Sequence, residues 1–193
     1  MLRLISNKLN NIPSNACVFG FIGHLHSDKG ILILLSAFER HISIHPNSYL
    51  VLVGPIDDSK IESHISTMNK GVIVLPFNTF VHLIIPFFSA LILPSYREGF
   101  GSVVLEAASC SVPSIISNIP GPIDFVTDKR NGLVFDVGDT TGLATAMEVI
   151  AKNPDYASKL GQAALHDSLI NYRDYLIVKK FSEEMLSYIK QDQ

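Results

Sequence analysis

Six short, continuous apolar runs alternate along the chain with longer stretches of helical spacing: Cys17 to Gly23, Tyr49 to Val53, Val72 to Leu75, Leu91 to Leu93, Ser114 to Ser117 and Leu133 to Phe135. Apolar runs of this length without polar alternation read as strands buried on both faces, and a repeated strand-then-helix order builds a parallel sheet through right-handed crossovers. Helical segments are expected near 29–44, 58–69, 80–89, 102–110 and 140–152. The fold class is therefore α/β: an open parallel sheet of about six strands with helices on both faces.

Beyond Pro154 the strand signal stops, and two helical stretches are expected near 155–171 and 175–190. The second carries Phe181, Met185, Leu186 and Ile189 at helical spacing beside Lys179, Lys180, Glu183 and Glu184. Its apolar stripe packs on its own domain or, as the sharper option, faces a partner domain or a membrane. Residues 1–16, with Asn7, Asn10, Asn11, Pro13 and Asn15, show no sustained period and read as a lead-in or linker. The expected division is a lead-in at 1–16, a ligand-binding domain at 17–173 and a C-terminal amphipathic helix at 174–193.

A chain of 193 residues holds one domain that can bury a full core. Its 15 basic and 18 acidic residues leave a net charge of −3, without the basic stripe of a nucleic-acid protein. Cys17 and Cys110 are far apart and form no metal-spaced set or disulfide framework, so a reducing compartment is expected. The segment from Met1 to Lys8 has too short an apolar stretch for a signal peptide. The longest apolar run, Val81 to Pro94, is broken by His82, Pro86 and Ser89 and falls short of the roughly 18–20 residues that span a bilayer. These features point to a cytoplasmic protein. The mean hydropathy of +0.29 is high for such a chain and implies an apolar face that something else covers.

In open parallel sheets ligands bind at the carboxyl ends of the strands, so the residues after each apolar run matter most. After the first run, Gly23-His24-Leu25-His26-Ser27-Asp28-Lys29-Gly30 leads into a helix and can offer backbone N–H groups and a lysine to an anion. An ordinary turn with a solvated lysine explains that segment equally well. It contains neither a dinucleotide fingerprint nor a Walker A loop. His24 and His26 have no third ligand nearby and read as loop residues, and His41 and His45 read as surface residues near a helix end.

After the fourth run, Glu98-Gly99-Phe100-Gly101-Ser102 joins a glycine loop bearing a carboxylate to a helix start, with Glu106 one turn inside. Two glycines let the backbone approach a ligand, and the helix start offers free N–H groups to a phosphate. A capping box would place Glu or Gln at 105, which is Leu105, so Glu106 is not explained as a cap partner. Glu98, by contrast, could simply complement the helix dipole. The third place comprises Val53-Gly54-Pro55 and Leu75-Pro76-Phe77, which read as walls of a base-binding slot or as plain turns after buried strands.

Taken together these residues resemble the retaining glycosyltransferases of family 4, the glycosyl transferases group 1, in their C-terminal, donor-binding half. The family string is Pro-Ser-x-x-Glu-Gly-Phe-Gly followed by Glu-Ala, with seven residues between the two glutamates. Pro94-Ser95-Tyr96-Arg97-Glu98-Gly99-Phe100-Gly101 and Glu106-Ala107 match it. Gly23-x-Leu25, Lys29-Gly30, Val53-Gly54-Pro55 and Asn131-Gly132-Leu133-Val134 fit its other landmarks in order, so that the likeness covers about 17–152.

The resemblance implies a Rossmann-like sheet forming one half of a two-domain GT-B fold. It implies transfer of a sugar, with retention, from a nucleotide-diphosphate sugar, commonly a uridine one, to a glycan or lipid-linked acceptor, with no metal or other cofactor. Carried over position by position, Lys29 would hold the donor diphosphate, assisted by Gly99, Phe100, Gly101 and Ser102. Glu98 would contact the transferred sugar near the reacting carbon, and Glu106 would hold the ribose. Gly23 and His24 would border the diphosphate, while Pro76 and Phe77 join the donor-binding set from the base-slot reading of their turn given above. The other implied partner is an N-terminal acceptor-binding domain or chain, with peripheral contact at the inner face of the membrane left open.

Two residues depart from the family pattern. His24 stands where the family has arginine and loses a permanently charged, bidentate phosphate ligand. Ser111 replaces the usual glycine after the Glu106 helix, where a positive φ is expected. A non-catalytic nucleotide-sugar-binding or regulatory module, or a remnant lacking its acceptor domain, is the alternative. Epimerases and phosphorylases share the architecture, but the double-glutamate string favours transfer.

Overall fold

The computed structural model describes residues 8–68, 70–77 and 81–173. Six strands form one sheet: β1 (Cys17–Ile22), β2 (Ser48–Val53), β3 (Val72–Leu75), β4 (Ala90–Leu93), β5 (Ser114–Ser117) and β6 (Gly132–Phe135). Their spatial order is β3-β2-β1-β4-β5-β6, and every pairing is parallel. This is a Rossmann-like doubly wound sheet, and each expected strand is present within a residue of its apolar run. The central strands are buried almost throughout, which is why their sequences are apolar without alternation.

The helices are α1 (Ile31–Ile44), α2 (Ser59–Thr67), α3 (Ser102–Ser109), α4 (Thr140–Lys152) and α5 (Pro154–Asn171). α1 packs on α2 and α4, while α3 packs on α5. Right-handed crossovers place α1 and α2 on one face of the sheet and α3 on the other, and α4 and α5, which follow the last strand, join the α1 and α3 layers. Asp58 and Asp139 cap the starts of α2 and α4 by accepting from the N–H groups of Lys60 and Thr141. Among the described residues no helix is long and apolar enough to cross a membrane.

Three expectations change. The helix expected at 80–89 is, from residue 81 on, a pair of 3-10 turns at Val81–Leu83 and Ile85–Phe87. Pro86 lacks the N–H that an α-helix would bond to His82, and it disfavours helical backbone at Ile85. The described part of the expected lead-in does not merely precede the domain, because Leu9 is buried in the main core and Lys8 Nζ donates to the Val74 carbonyl at 3.0 Å. Leu9 and Ile12 make one turn, closed by Ile12 N to Leu9 O at 3.0 Å, too short to register as a period.

His41 is not a surface residue: it is 2% exposed. It continues the buried stripe of α1 through Ile31, Leu34, Leu35 and Phe38, and its Nε2 lies 2.9 Å from Ser48 Oγ. The expected helix at 174–193, with Phe181, Met185, Leu186 and Ile189, lies outside the described residues.

Candidate donor-binding cleft

The strand order reverses direction between β1 and β4, so the loops leaving their carboxyl ends part and open a crevice. A cleft of about 400 Å³ lies there. Gly23, His24 and Lys29 line it from the β1 side, and Glu98, Gly99, Phe100, Gly101 and Ser102 line it from the β4 side. Eight of the eleven residues singled out in the sequence thus meet in one place, from segments about seventy positions apart.

The two loops are fitted to each other. Gly30 adopts φ 67°, and a side chain there would collide with the Pro94 carbonyl, so only glycine lets the start of α1 lie against the end of β4. Tyr96 N donates to the Asp28 carbonyl at 3.0 Å, and Arg97 Nη2 reaches Asp28 Oδ2 at 3.4 Å on the surface above. Phe100 rests against the Tyr172 ring just beyond α5, with ring centres 5.5 Å apart.

Lys29 and Glu98 form an ion pair across the cleft, with Nζ 2.8 Å from Oε1. Their side chains are 31% and 14% exposed, so the pair is partly withdrawn from water while the lysine stays reachable. Ser95 Oγ also donates to Glu98 Oε1, at 2.8 Å. α3 starts at Gly101, which has φ 72° and provides no side-chain cap. Its first turn borders the cleft through Ser102 and Val103, placing the positive end of the helix dipole there.

The two loop histidines have separate tasks. His26 Nδ1 accepts from Asp28 N at 3.3 Å and caps the turn that carries Lys29. His24 Nδ1 lies 2.9 Å from Asp57 Oδ2, which leaves Nε2 as the ring atom available to the cleft. Among the described residues no group of three or more His, Cys, Asp and Glu side chains is arranged to hold a metal.

Three singled-out residues lie outside the lining. Glu106 is half-buried, four positions after Ser102 and so on the same face of α3. Pro76 and Phe77 sit past the end of edge strand β3, and Phe77 is 60% exposed. Conversely, Phe21, Ile22, Leu93 and Val103 line the cleft and Asp57 orients a lining residue, none of which was singled out. The four apolar residues are hidden in strand and helix runs whose patterns mark only burial. Asp57 falls in a turn remote in sequence.

Relatives share this framework. A capsular polysaccharide biosynthesis glycosyltransferase, CapM of Staphylococcus aureus, is 26% identical over 166 residues, covering 81% of this chain and 42% of that protein. Among solved structures, HepE of Anabaena in complex with UDP-glucose superposes with a TM-score of 0.79 at 20% identity, covering 96% of this chain and 51% of that one. The C-terminal domain of the group 1 glycosyl transferase LpcC of Francisella tularensis gives 0.74 at 17% identity, over 81% of this chain and 86% of that domain. This chain therefore spans less than half the length of CapM, and its sheet is the one expected for a GT-B half. With the family's model matching residues 5–167, the chain belongs to the glycosyl transferases group 1.

Proposed function

We propose that the cleft binds a nucleoside-diphosphate sugar, with uridine as the base, and that the chain is the donor-binding half of a retaining glycosyltransferase. The carrying observation is the Lys29–Glu98 pair set between the β1 and β4 loops beside the start of α3. Lys29 and the N–H groups at the start of α3 face the diphosphate. Glu98 accepts hydrogen bonds from hydroxyls of the sugar, and Glu106, on the Ser102 face of α3, takes the ribose. Pro76 and Phe77 would meet the base from the β3 side, outside the present lining. HepE, solved with UDP-glucose on the same fold, supports the choice of ligand.

The chemistry follows from charge. As the bond from anomeric carbon to diphosphate oxygen breaks, the leaving group gains negative charge and the sugar becomes oxocarbenium-like. Fixed N–H dipoles and Lys29 stabilise that leaving group more than the ground state, and Glu98 lies on the side where positive charge grows. These groups supply the positive field that a metal would otherwise provide, so transfer proceeds without one. The acceptor, a glycan or lipid-linked sugar, is held by an N-terminal domain or a partner chain, which also excludes water. The setting is cytoplasmic, with peripheral contact at the inner membrane face. Burial holds the Cys17 and Cys110 thiols above their usual range, consistent with unreactive cysteines.

A binding module without turnover is the second reading, favoured by His24, which stands where the family pattern has a permanently charged arginine. Calorimetric titration with UDP, GDP and ADP tests the shared core of both. UDP should bind preferentially, and Lys29→Ala should weaken it by about tenfold or more, the worth of a charge-assisted contact. Equal affinity for the three nucleotides, or an unaltered Lys29→Ala, would overturn the assignment. Donor hydrolysis or transfer on adding an acceptor half separates enzyme from module.

A further inference from the structure

Glu98 Oε1 receives two hydrogen bonds of equal length from donors of very different freedom. Lys29 ends a flexible four-carbon stem and is 31% exposed. Ser95 has a single side-chain torsion to its oxygen and is fully buried. Ser95 is itself held: Ser117 Oγ donates to the Ser95 carbonyl at 2.6 Å, and Ser117 is fully buried as well.

Sheet geometry explains the link. Pairing between β4 and β5 ends at Leu93 with Ile116, so the backbone at Ser95 has run past the ladder. The Ser117 hydroxyl bonds its carbonyl where a strand partner would have done so. A line of contacts thus runs from the end of β5, through the turn after β4, to the carboxylate in the cleft.

We propose that Ser95 and Ser117 are positioning residues that keep Glu98 at the sugar end of the cleft when Lys29 turns to the diphosphate. The inference rests on the nucleotide-sugar reading above. Before binding, Lys29 and Ser95 share Glu98. A diphosphate offers Lys29 a stronger partner, and the carboxylate would then be free to rotate if Lys29 were its only restraint. Ser95 keeps one oxygen fixed, so the other can meet a sugar hydroxyl without ordering the side chain anew. Their contribution therefore belongs to recognition of the sugar rather than of the nucleotide.

The test is calorimetry with UDP and with UDP-glucose on the full chain, together with a crystal structure of unliganded Ser95→Ala. Ser95→Ala should lower the ratio of UDP-glucose to UDP affinity about fivefold, the worth of one hydrogen bond. Ser95→Thr, which retains the hydroxyl, should restore it. Ser117→Ala, which leaves Ser95 in place, should lower the ratio less and provides the deciding variant if threonine strains the buried turn. In the crystal, Glu98 of Ser95→Ala should have left its present position. An unchanged ratio in Ser95→Ala, or a Glu98 that stays in place, overturns the proposal. A wild-type chain that binds neither probe overturns the nucleotide-sugar reading instead, and the unliganded crystal structure still decides whether Ser95 holds Glu98.

Discussion

At the scale of single residues, a Lys29 that serves the proposed diphosphate must loosen its contact with Glu98. Glu98→Gln removes the negative charge that competes for the ammonium group. That variant should bind UDP about two- to fivefold more tightly, as expected for release of a part-exposed ion pair, and titration against wild type measures the change. His41 gives a second prediction. Burial, and then the neighbouring His45, lower its pKa from 6.5 to about 4, with Glu148 opposing. The folded chain holds the ring neutral, whereas the unfolded chain binds a proton below pH 6.5. Stability is therefore complete above that pH and falls as the pH drops toward 4, by roughly 3 kcal/mol from this group. Urea unfolding at pH 7 and pH 4.5 should show the loss, and His41→Gln should flatten it. Ser111 adopts φ 59°, so Ser111→Gly should raise stability by about 1 kcal/mol in the same assay.

Among elements, the helix starts differ in how they are closed. α4 begins under the Asp139 carboxylate, 2.9 Å from Thr141 N, whereas α3 begins at a glycine that borders the cleft. Asp139→Ala should cost about 1 kcal/mol of stability and leave UDP affinity as it is, since neither Asp139 nor any residue of α4 lines the cleft. The strands were legible because two-sided burial leaves unbroken apolar runs such as Tyr49 to Val53. The crossover from β3 to β4 was not, because Val81 to Phe88 is apolar enough for a helix and Pro86 decides otherwise. Leu9 escaped notice because one turn carries no period, and His41 because a polar side chain on a core stripe reads as an interruption. In the cleft, the β4 loop and Lys29 stood out by residue type. The partnerships of Ser95 with Ser117 and of His24 with Asp57 depend on which strands become neighbours, and spacing along the chain does not carry that information.

At the scale of the whole molecule, one hydrophobic cluster among the described residues runs from Leu9 to Ala164 through both helical layers. Cleft and scaffold should therefore unfold together. Far-UV circular dichroism and tyrosine fluorescence should follow one coincident transition in guanidinium chloride, whereas separated midpoints would show that the two sides of the sheet melt apart. Because all six strands run the same way, the sheet also has two chemically distinct rims. The Lys29–Glu98 cleft lies at the carboxyl rim, while His41 meets Ser48 at the amino end of β2, about 20 Å away along a six-residue strand. Substitutions so far apart without shared partners add nearly independently. Acid tolerance and ligand preference are therefore separate traits in this chain, and selection or design can move one while the other stays where it is.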